Sequence, residues 1–344
     1  MQLRLWHYDL PLKHTFTISR ESIDVQPTVI VELEQDGVRG YGEATTNPYY
    51  GVTLESLTEA IGSCRDILEK SALGDPVELY EQLAEPLDSH RFALCALDQA
   101  AHDLWGKLQG KPVYQLWGLS TDHTPVSNYT IGIDSVETMV SKLNEFAGWP
   151  IYKIKLGTGQ DVEIVERLRR ETDAVFRVDA NCGWSAEETV DNSRALAPLG
   201  VEFIEQPLPA TEWEAMRQVR RESKLPVVAD ESCQREEDVA CCDGFFHGIN
   251  IKLVKCGGLT PARRMIAAAR TRGLSVMVGC MTESSVGISA IAQLLPLLDA
   301  VDMDGAVLLA KDVASGVTLD RGVCRYPDRP GCGIELMEEG RRLL

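Results

Sequence analysis

The sequence predicts an α/β protein, an eight-stranded parallel β/α barrel with a smaller α+β domain before it. Three observations lead there. From about residue 125 to 310, short apolar runs alternate with amphipathic stretches eight times, the pattern of parallel strands joined by crossover helices. Five of these runs close on a charged residue at nearly one interval: Lys155, Asp179, Glu205, Asp230 and Lys252, with gaps of 179−155 = 24, 205−179 = 26, 230−205 = 25 and 252−230 = 22. Finally, 344 residues are enough for a barrel of about 250 residues and a second domain.

Taken in order, residues 1 to about 35 read as two antiparallel strands. One carries Leu3, Leu5 and His7, the other T-V-I-V-E-L-E, and the polar stretch T-I-S-R-E-S-I-D is expected to join them as a loop. A turn at Asp36-Gly37 leads into V-R-G-Y-G-E-A as a third strand. Helical segments follow near 53–70, 76–86 and 91–109. The last, R-F-A-L-C-A-L-D-Q-A-A-H-D-L-W-G-K, is apolar on most faces and should be buried, with Gly110 and Pro112 ending it. The barrel strands are expected near 127–133, 151–156, 175–179, 202–205, 226–230, 248–252, 274–279 and 299–303. This divides the chain into a capping domain (1–122), a barrel (123–314) and a C-terminal segment (315–344) expected to pack back on the cap.

A hydrophobic content of 44% with 25% charged residues is that of a soluble globular protein, and no run approaches the ~18 apolar residues of a membrane span. The first ten residues alternate like a strand and lack a signal peptide's apolar centre, so a cytoplasmic protein is expected. The ten cysteines include adjacent Cys241 and Cys242 and no C-x-x-C pair, which reads as reduced thiols and not a disulfide framework. A net charge of −18 argues against nucleic-acid and anionic-membrane partners, since phosphate contacts need clustered Lys and Arg.

At the carboxyl end of a barrel, strand-end residues converge. Asp179, Glu205 and Asp230 come from three adjacent strands with no histidine or cysteine beside them, an all-oxygen set suited to Mg²⁺ or Mn²⁺. Any one such acid serves equally well as a helix cap or ion-pair partner. Three in step do not, because uncompensated carboxylates repel. Lys153 and Lys155 share one face of a strand, and Lys252 stands four strands further on, across the barrel. Two amines on opposite sides of one ligand are an arrangement for removing a proton from one face and returning it on the other. Acid–base catalysis gives ~10²–10⁴-fold, about 3–5 kcal/mol, whereas enzymes supply ~8–23 kcal/mol. For a carbon acid next to a carboxylate, a cation that stabilises the enediolate is needed as well.

At these residues the chain resembles the enolase superfamily, muconate-lactonising-enzyme subgroup. The motifs are the A-L-C-A-L-D-Q-A-A-H-D-L-W-G-K helix, Y-K-I-K, V-D-A-N, I-E-Q-P, A-D-E-S and N-I-K-L-V-K-C-G-G, and they span essentially the whole chain. The resemblance implies a (β/α)₇β modified TIM barrel under an α+β capping domain. It further implies that Asp179, Glu205 and Asp230 bind Mg²⁺ (Mn²⁺ as the alternative), that Lys155 and Lys252 are the acid/base pair, and that Lys153 binds a substrate carboxylate oxygen. Lys255 fits less well as a catalyst, because the family's lysine follows Asn, where Lys252 stands. Homo-oligomers are frequent in this family, and self-association is expected here too.

The eighth strand reads V-D-M-D-G, so Asp302 and Asp304 share a face. This Asp-x-Asp resembles that of dipeptide epimerases, where the pair holds the substrate's α-ammonium group. Arg20, in the first cap loop, resembles in position the arginine that Ala-Glu epimerases direct at the glutamate side chain. Tyr49 and Tyr50, and Met281 or Glu283, are further candidates for the pocket wall. The implied activity is a 1,1-proton transfer at the α-carbon of a dipeptide's C-terminal residue, with L-Ala-D/L-Glu from cell-wall peptide turnover as the expected substrate. The alternatives are an N-acylamino-acid racemase, an o-succinylbenzoate synthase or a muconate cycloisomerase of the same subgroup, and, outside catalysis, a barrel that binds small carboxylates.

Overall fold

The computed structural model describes residues 1–19, 21–337 and 339–344. Strand β1 (Gln2–Thr17) pairs antiparallel with β2 (Ser22–Gln35), and β2 with β3 (Val38–Thr45). The β2–β3 turn is Asp36-Gly37, with φ of 54° and 79°, the left-handed pair of a type I′ hairpin. The stretch expected as a polar loop is strand at both ends, where Thr17 pairs with Ser22 and Phe16 with Ile23, which leaves a shorter connection between Thr17 and Ser22. This part of the ribbon runs past the end of β3, whose pairing with β2 begins at Thr28. With no third strand to cover it, it carries little of the apolar alternation that reveals a strand. Arg20 lies outside the described residues.

Helices α1 (Leu54–Ser63), α2 (Arg65–Lys70), α3 (Pro76–Ala84) and α4 (Arg91–Leu108) follow in the cap. The segment expected over 53–70 is two helices, meeting at Cys64. Thr53 opens α1 with a capping box to Ser56. Helix α4 lies against β3 so closely that a Cβ on Gly42 would fall 2.0 Å from Ala96 O, and one on Gly40 2.4 Å from Ala100 O. Glycine at both positions is what admits the helix. Its buried polar residues find partners across the cap: Gln99 Oε1 accepts from Glu43 N at 3.0 Å and Asp103 Oδ2 from Tyr41 N at 2.9 Å.

After α5 (Val113–Leu116) come the barrel strands β4 (Tyr129–Ile131), β5 (Ile151–Lys155), β6 (Val175–Asp179), β7 (Val201–Glu205), β8 (Val227–Ala229), β9 (Gly248–Lys252), β10 (Ser275–Gly279) and β11 (Ala300–Asp302). Each pairs in parallel with the next. A parallel bridge between Ser127 and Val301, with Met303 N donating to Ser127 Oγ at 3.0 Å, brings the two ends of the sheet together. Helices α6 (Val136–Glu145), α7 (Asp161–Arg169), α8 (Ala186–Leu196), α9 (Trp213–Glu222), α10 (Asp238–Cys242), α11 (Leu253–Cys256), α12 (Leu259–Thr271) and α13 (Ser285–Ala292) fill the crossovers. Only a short 3₁₀ turn, Gly305–Leu308, follows β11. The architecture is therefore (β/α)₇β, with every expected strand present to within two residues.

The C-terminal residues form two short pairs, β12 (Ala314–Ser315) with β15 (Glu335–Leu336) and β13 (Thr318–Asp320) with β14 (Val323–Arg325). The last strand, β16 (Arg341–Arg342), pairs with β1 at Trp6 and His7. One apolar core runs through cap and barrel together. All ten cysteines are free, and no helix among the described residues is long and apolar enough to cross a membrane.

Candidate active site

The strand ends define the site. Lys155, Asp179 and Glu205 are the last residues of β5, β6 and β7 and lie side by side in register; Lys252 and Asp302 end β9 and β11 and both pair with Gly279. Asp230 follows β8 directly. Because side chains alternate along a strand, Lys153 joins Lys155 inside the barrel mouth, and Asn250 joins Lys252. A cavity opens between this floor and the cap. Lys153, Lys155, Asp230, Lys252, Asp302 and Asp304 line it from below, and Phe16, Ile18, Glu21, Tyr49 and Tyr50 from above.

Carboxylate oxygens of Asp179, Glu205 and Asp230 lie within 4.8 Å of one another, and all three residues are buried. On one flank, Lys155 Nζ donates to Asp179 Oδ2 at 2.6 Å; on the other, Lys252 Nζ donates to Asp230 Oδ2 at 2.9 Å. The second and sixth of eight strands face each other across a barrel, so the two amines approach from opposite sides. Lys153 Nζ lies 2.8 Å from Glu205 Oε2, 3.2 Å from Asp179 Oδ2 and 2.8 Å from Asp302 Oδ2.

The electrostatics follow from burial and these contacts. Burial raises the Asp179 carboxyl, but Lys155 and Lys153 outweigh it and hold it at about 2. Burial and the neighbouring Asp179 charge push Glu205 up to about 7 against the pull of Lys153. Burial disfavours the Lys252 ammonium, yet the Asp230 carboxylate prevails and raises its value. Glu205 Oε2 is buried without a hydrogen bond of good geometry, although the Lys153 charge is close. An all-oxygen trio with one acid forced upward and one oxygen poorly satisfied is a fitting cradle for a hard divalent cation.

Backbone and uncharged side chains hold this trio in place. Asn181, at φ 44°, turns its N–H onto Asp179 Oδ1 at 2.9 Å. Gln206, at φ 32°, uses its Oε1 to accept from Asp230 N at 2.9 Å and Ser232 N at 3.0 Å, tying the end of β7 to the end of β8. Asn250 Nδ2 donates to Glu205 Oε1 at 2.8 Å. A Cβ on neighbouring Gly279 would meet that amide at 2.7 Å.

At the closure of the barrel, Asp302 Oδ1 accepts from Asn128 Nδ2 at 2.7 Å, and Asp304 Oδ2 from Thr130 N at 2.5 Å. The two acids are compensated differently. Burial raises Asp302, but Lys153 overrides it and holds the carboxyl well below its usual range. Burial and the Asp302 charge drive Asp304 upward. Tyr50 packs on Phe92 and Tyr49 with centroid distances of 5.7 and 4.9 Å. Met281 lines the cavity; Glu283 is buried behind it and accepts from Met281 N at 2.8 Å.

The structure thus brings together eight of the nine site residues proposed from the sequence, and the ninth, Arg20, is not described. Sequence reading passed over Asn128, Thr130, Asn181, Gln206 and Asn250. None carries charge, so a scan of strand ends for acids and lysines misses them. Two signals were available: Asn181, Gln206 and Asn250 stand in the V-D-A-N, I-E-Q-P and N-I-K motifs beside the charged residues, and by alternation Asn250 sits two before Lys252, and Asn128 and Thr130 are two apart.

A family of the same build emerges from comparison with known proteins. The mandelate racemase / muconate lactonizing enzyme N-terminal domain matches residues 2–118, and the enolase C-terminal domain-like family matches residues 136–340. The chain belongs to this mandelate racemase/muconate lactonizing enzyme family of the enolase superfamily. It is 56% identical over 337 residues to the L-Ala-D/L-amino acid epimerase of Flavobacterium johnsoniae, covering 98% of this chain and 100% of that protein. It is 42% identical to the L-Ala-D/L-Glu epimerase of Bacteroides thetaiotaomicron, covering 97% and 88%. Among solved structures, the dipeptide epimerase of Methylococcus capsulatus complexed with Mg and the dipeptide L-Arg-D-Lys superposes with a TM-score of 0.90 at 34% identity, covering 97% of this chain and 98% of that one.

Proposed function

We propose that this protein is a metal-dependent dipeptide epimerase that inverts the α-carbon of the C-terminal residue by a 1,1-proton transfer, with L-Ala-D/L-Glu as substrate. The observation that carries this reading is the pair of buried lysines, Lys155 and Lys252, on facing strands with a carboxylate trio between them. A protein that only binds its ligand has no use for a proton donor on each side.

In this reading Asp179, Glu205 and Asp230 hold Mg²⁺, with Mn²⁺ as an alternative. When bound, the ion supplies positive charge against the negative charge that develops on the substrate carboxylate. Lys153, between the trio and Asp302, binds a carboxylate oxygen of the dipeptide. Asp302 and Asp304 receive its α-ammonium group. Asp304 has no cationic side chain in ion-pair contact among the described residues, and a ligand ammonium provides the charge it lacks. Lys155 takes the α-proton from one face while Lys252, as ammonium, delivers one to the other; the roles exchange in the reverse direction. Phe16, Ile18 and Tyr50 of the cap line the cavity opposite the charged floor. Arg20 is assigned to the substrate side chain on sequence position alone. The ten free cysteines support a cytoplasmic location.

Deuterium from solvent entering the α-position of Ala-Glu in the presence of Mg²⁺ tests the reaction. With Lys155→Gln, exchange should survive from only one epimer, and with Lys252→Gln from only the other. Equal loss of both in each variant would sink the two-base reading.

A further inference from the structure

Lys255 lies three residues beyond Lys252, in the single turn of α11. Both lysines reach Asp230, from different sides. Lys252 lines the cavity under the cap; Lys255 instead faces a second cavity behind Tyr50. It is 3% exposed. Its ammonium donates to Asp230 Oδ1 at 2.5 Å, Asp230 O at 2.5 Å and Cys233 O at 3.1 Å. An ammonium has three donors, so these three acceptors use all of them. Gly257, at φ 103°, caps α11 by donating to Leu253 O, and Gly258, at φ 126°, has Asp98 where a Cβ would stand, 2.4 Å from its Oδ2.

Taking the metal-dependent reading above as given, we propose that Lys255 is a positioning residue. It grips one oxygen and the main-chain carbonyl of Asp230 from outside the active-site cavity, so that Oδ2 alone is presented to the cation and to Lys252. Without this grip the Asp230 carboxylate rotates freely, Oδ1 competes for both the ion and Lys252, and the face served by Lys252 loses its alignment. Lys255 takes no part in proton transfer, because its donors are fully engaged and it has no surface on the substrate cavity. The spacing K-x-x-K therefore encodes two jobs on one carboxylate, one catalytic and one orienting.

The test uses Lys255→Met and Lys255→Gln in the full chain, with folding followed by circular dichroism. Mn²⁺ binding is measured by the electron paramagnetic resonance signal of the free ion, with no substrate present. The expected result is a 10–100-fold weaker Mn²⁺ affinity, the usual cost of losing a residue that orients a metal ligand. At saturating Mn²⁺, deuterium exchange should fall chiefly for the epimer whose exchange Lys252→Gln abolishes. Unchanged Mn²⁺ affinity, or equal loss of exchange from both epimers, overturns the inference. So does failure of both variants to fold in the presence of Mn²⁺, which would place the contribution of Lys255 in the fold. Failure of the unmutated protein to bind Mn²⁺ would instead refute the metal-dependent reading itself.

Discussion

Asp302 ends β11 and Asp304 lies two residues beyond it, at the start of the 3₁₀ turn, so the two acids expected on one strand are split between strand and turn; only Asp302 is neutralised from within, by Lys153. Asp304 is the better candidate for the group that senses a ligand cation. Asp304→Asn is accordingly expected to raise KM for Ala-Glu by at least about tenfold, since one partner of a desolvated charge pair is worth about 2 kcal/mol or more. The KM for an N-acylated analogue, which has no ammonium, should change little; a similar rise for both ligands would refute the assignment. Glu283 carries a second residue-level prediction. Burial, followed by repulsion from Glu43, pushes its carboxyl up to about 8. Between an unfolded value near 4.5 and that folded value, the native state holds more protons than the unfolded one, so stability falls as pH rises through the window. Glu283→Gln removes this dependence. Relative to it, the unmutated protein should lose up to about 1.4 kcal/mol per pH unit from pH 5 to 8, read from thermal melts. Parallel melting curves for the two proteins would refute this. The charged half of the site was legible in the sequence because acids and lysines at strand ends stand out against β-branched runs. The roles of the uncharged half were not, because Asn128, Gln206 and Asn250 act through hydrogen bonds to other strands that only the folded barrel brings together.

Elements were legible in proportion to how far their burial is one-sided or complete. The barrel strands announce themselves as apolar runs because they are covered on both faces, and helix α4 because the sheet and barrel enclose it on most sides. The tip of the β1–β2 ribbon, Thr17 and residues 22–24, does not read as strand in the sequence because a two-stranded extension has no core to face. Close packing between elements is also written in the sequence, though only as the absence of a side chain. Gly42 illustrates this, as the neighbouring backbone of α4 cannot move aside for a methyl group. Gly42→Ala should lower stability by about 1–3 kcal/mol, the usual cost of overpacking, seen as a reduced urea midpoint. Because β3 also carries Glu43, loss of cap–barrel alignment should lower kcat as well. A variant with unchanged midpoint would show that the helix tolerates displacement.

At the scale of the whole molecule, cap and barrel are joined by buried polar contacts on several sides. Glu43 in β3 accepts from Ser284 N at 3.1 Å and Gly287 N at 3.0 Å at the start of α13, and Asp98 in α4 accepts from Thr260 N at 2.9 Å at the start of α12. Elsewhere Ala310 N donates to Pro11 O at 2.8 Å, and β16 extends the cap sheet. Breaking one of these contacts strands a buried donor or acceptor, so the two parts should unfold together in one transition. The cost of function is concentrated where Asp179, Glu205 and Asp230 crowd one buried end. An ion bound there stabilises the native state alone, by about 2.7 kcal/mol at a hundredfold excess over Kd. Mg²⁺ should therefore raise the single melting temperature, and chelation should lower it. Glu205→Gln removes one of the crowded charges while keeping the side chain's shape and a partner for Asn250. At pH 8 it should melt higher than the chelated unmutated protein and no longer respond to Mg²⁺, the signature of a site that gives up stability for chemistry. A variant that melts lower, or still shifts with Mg²⁺, would place the cation elsewhere.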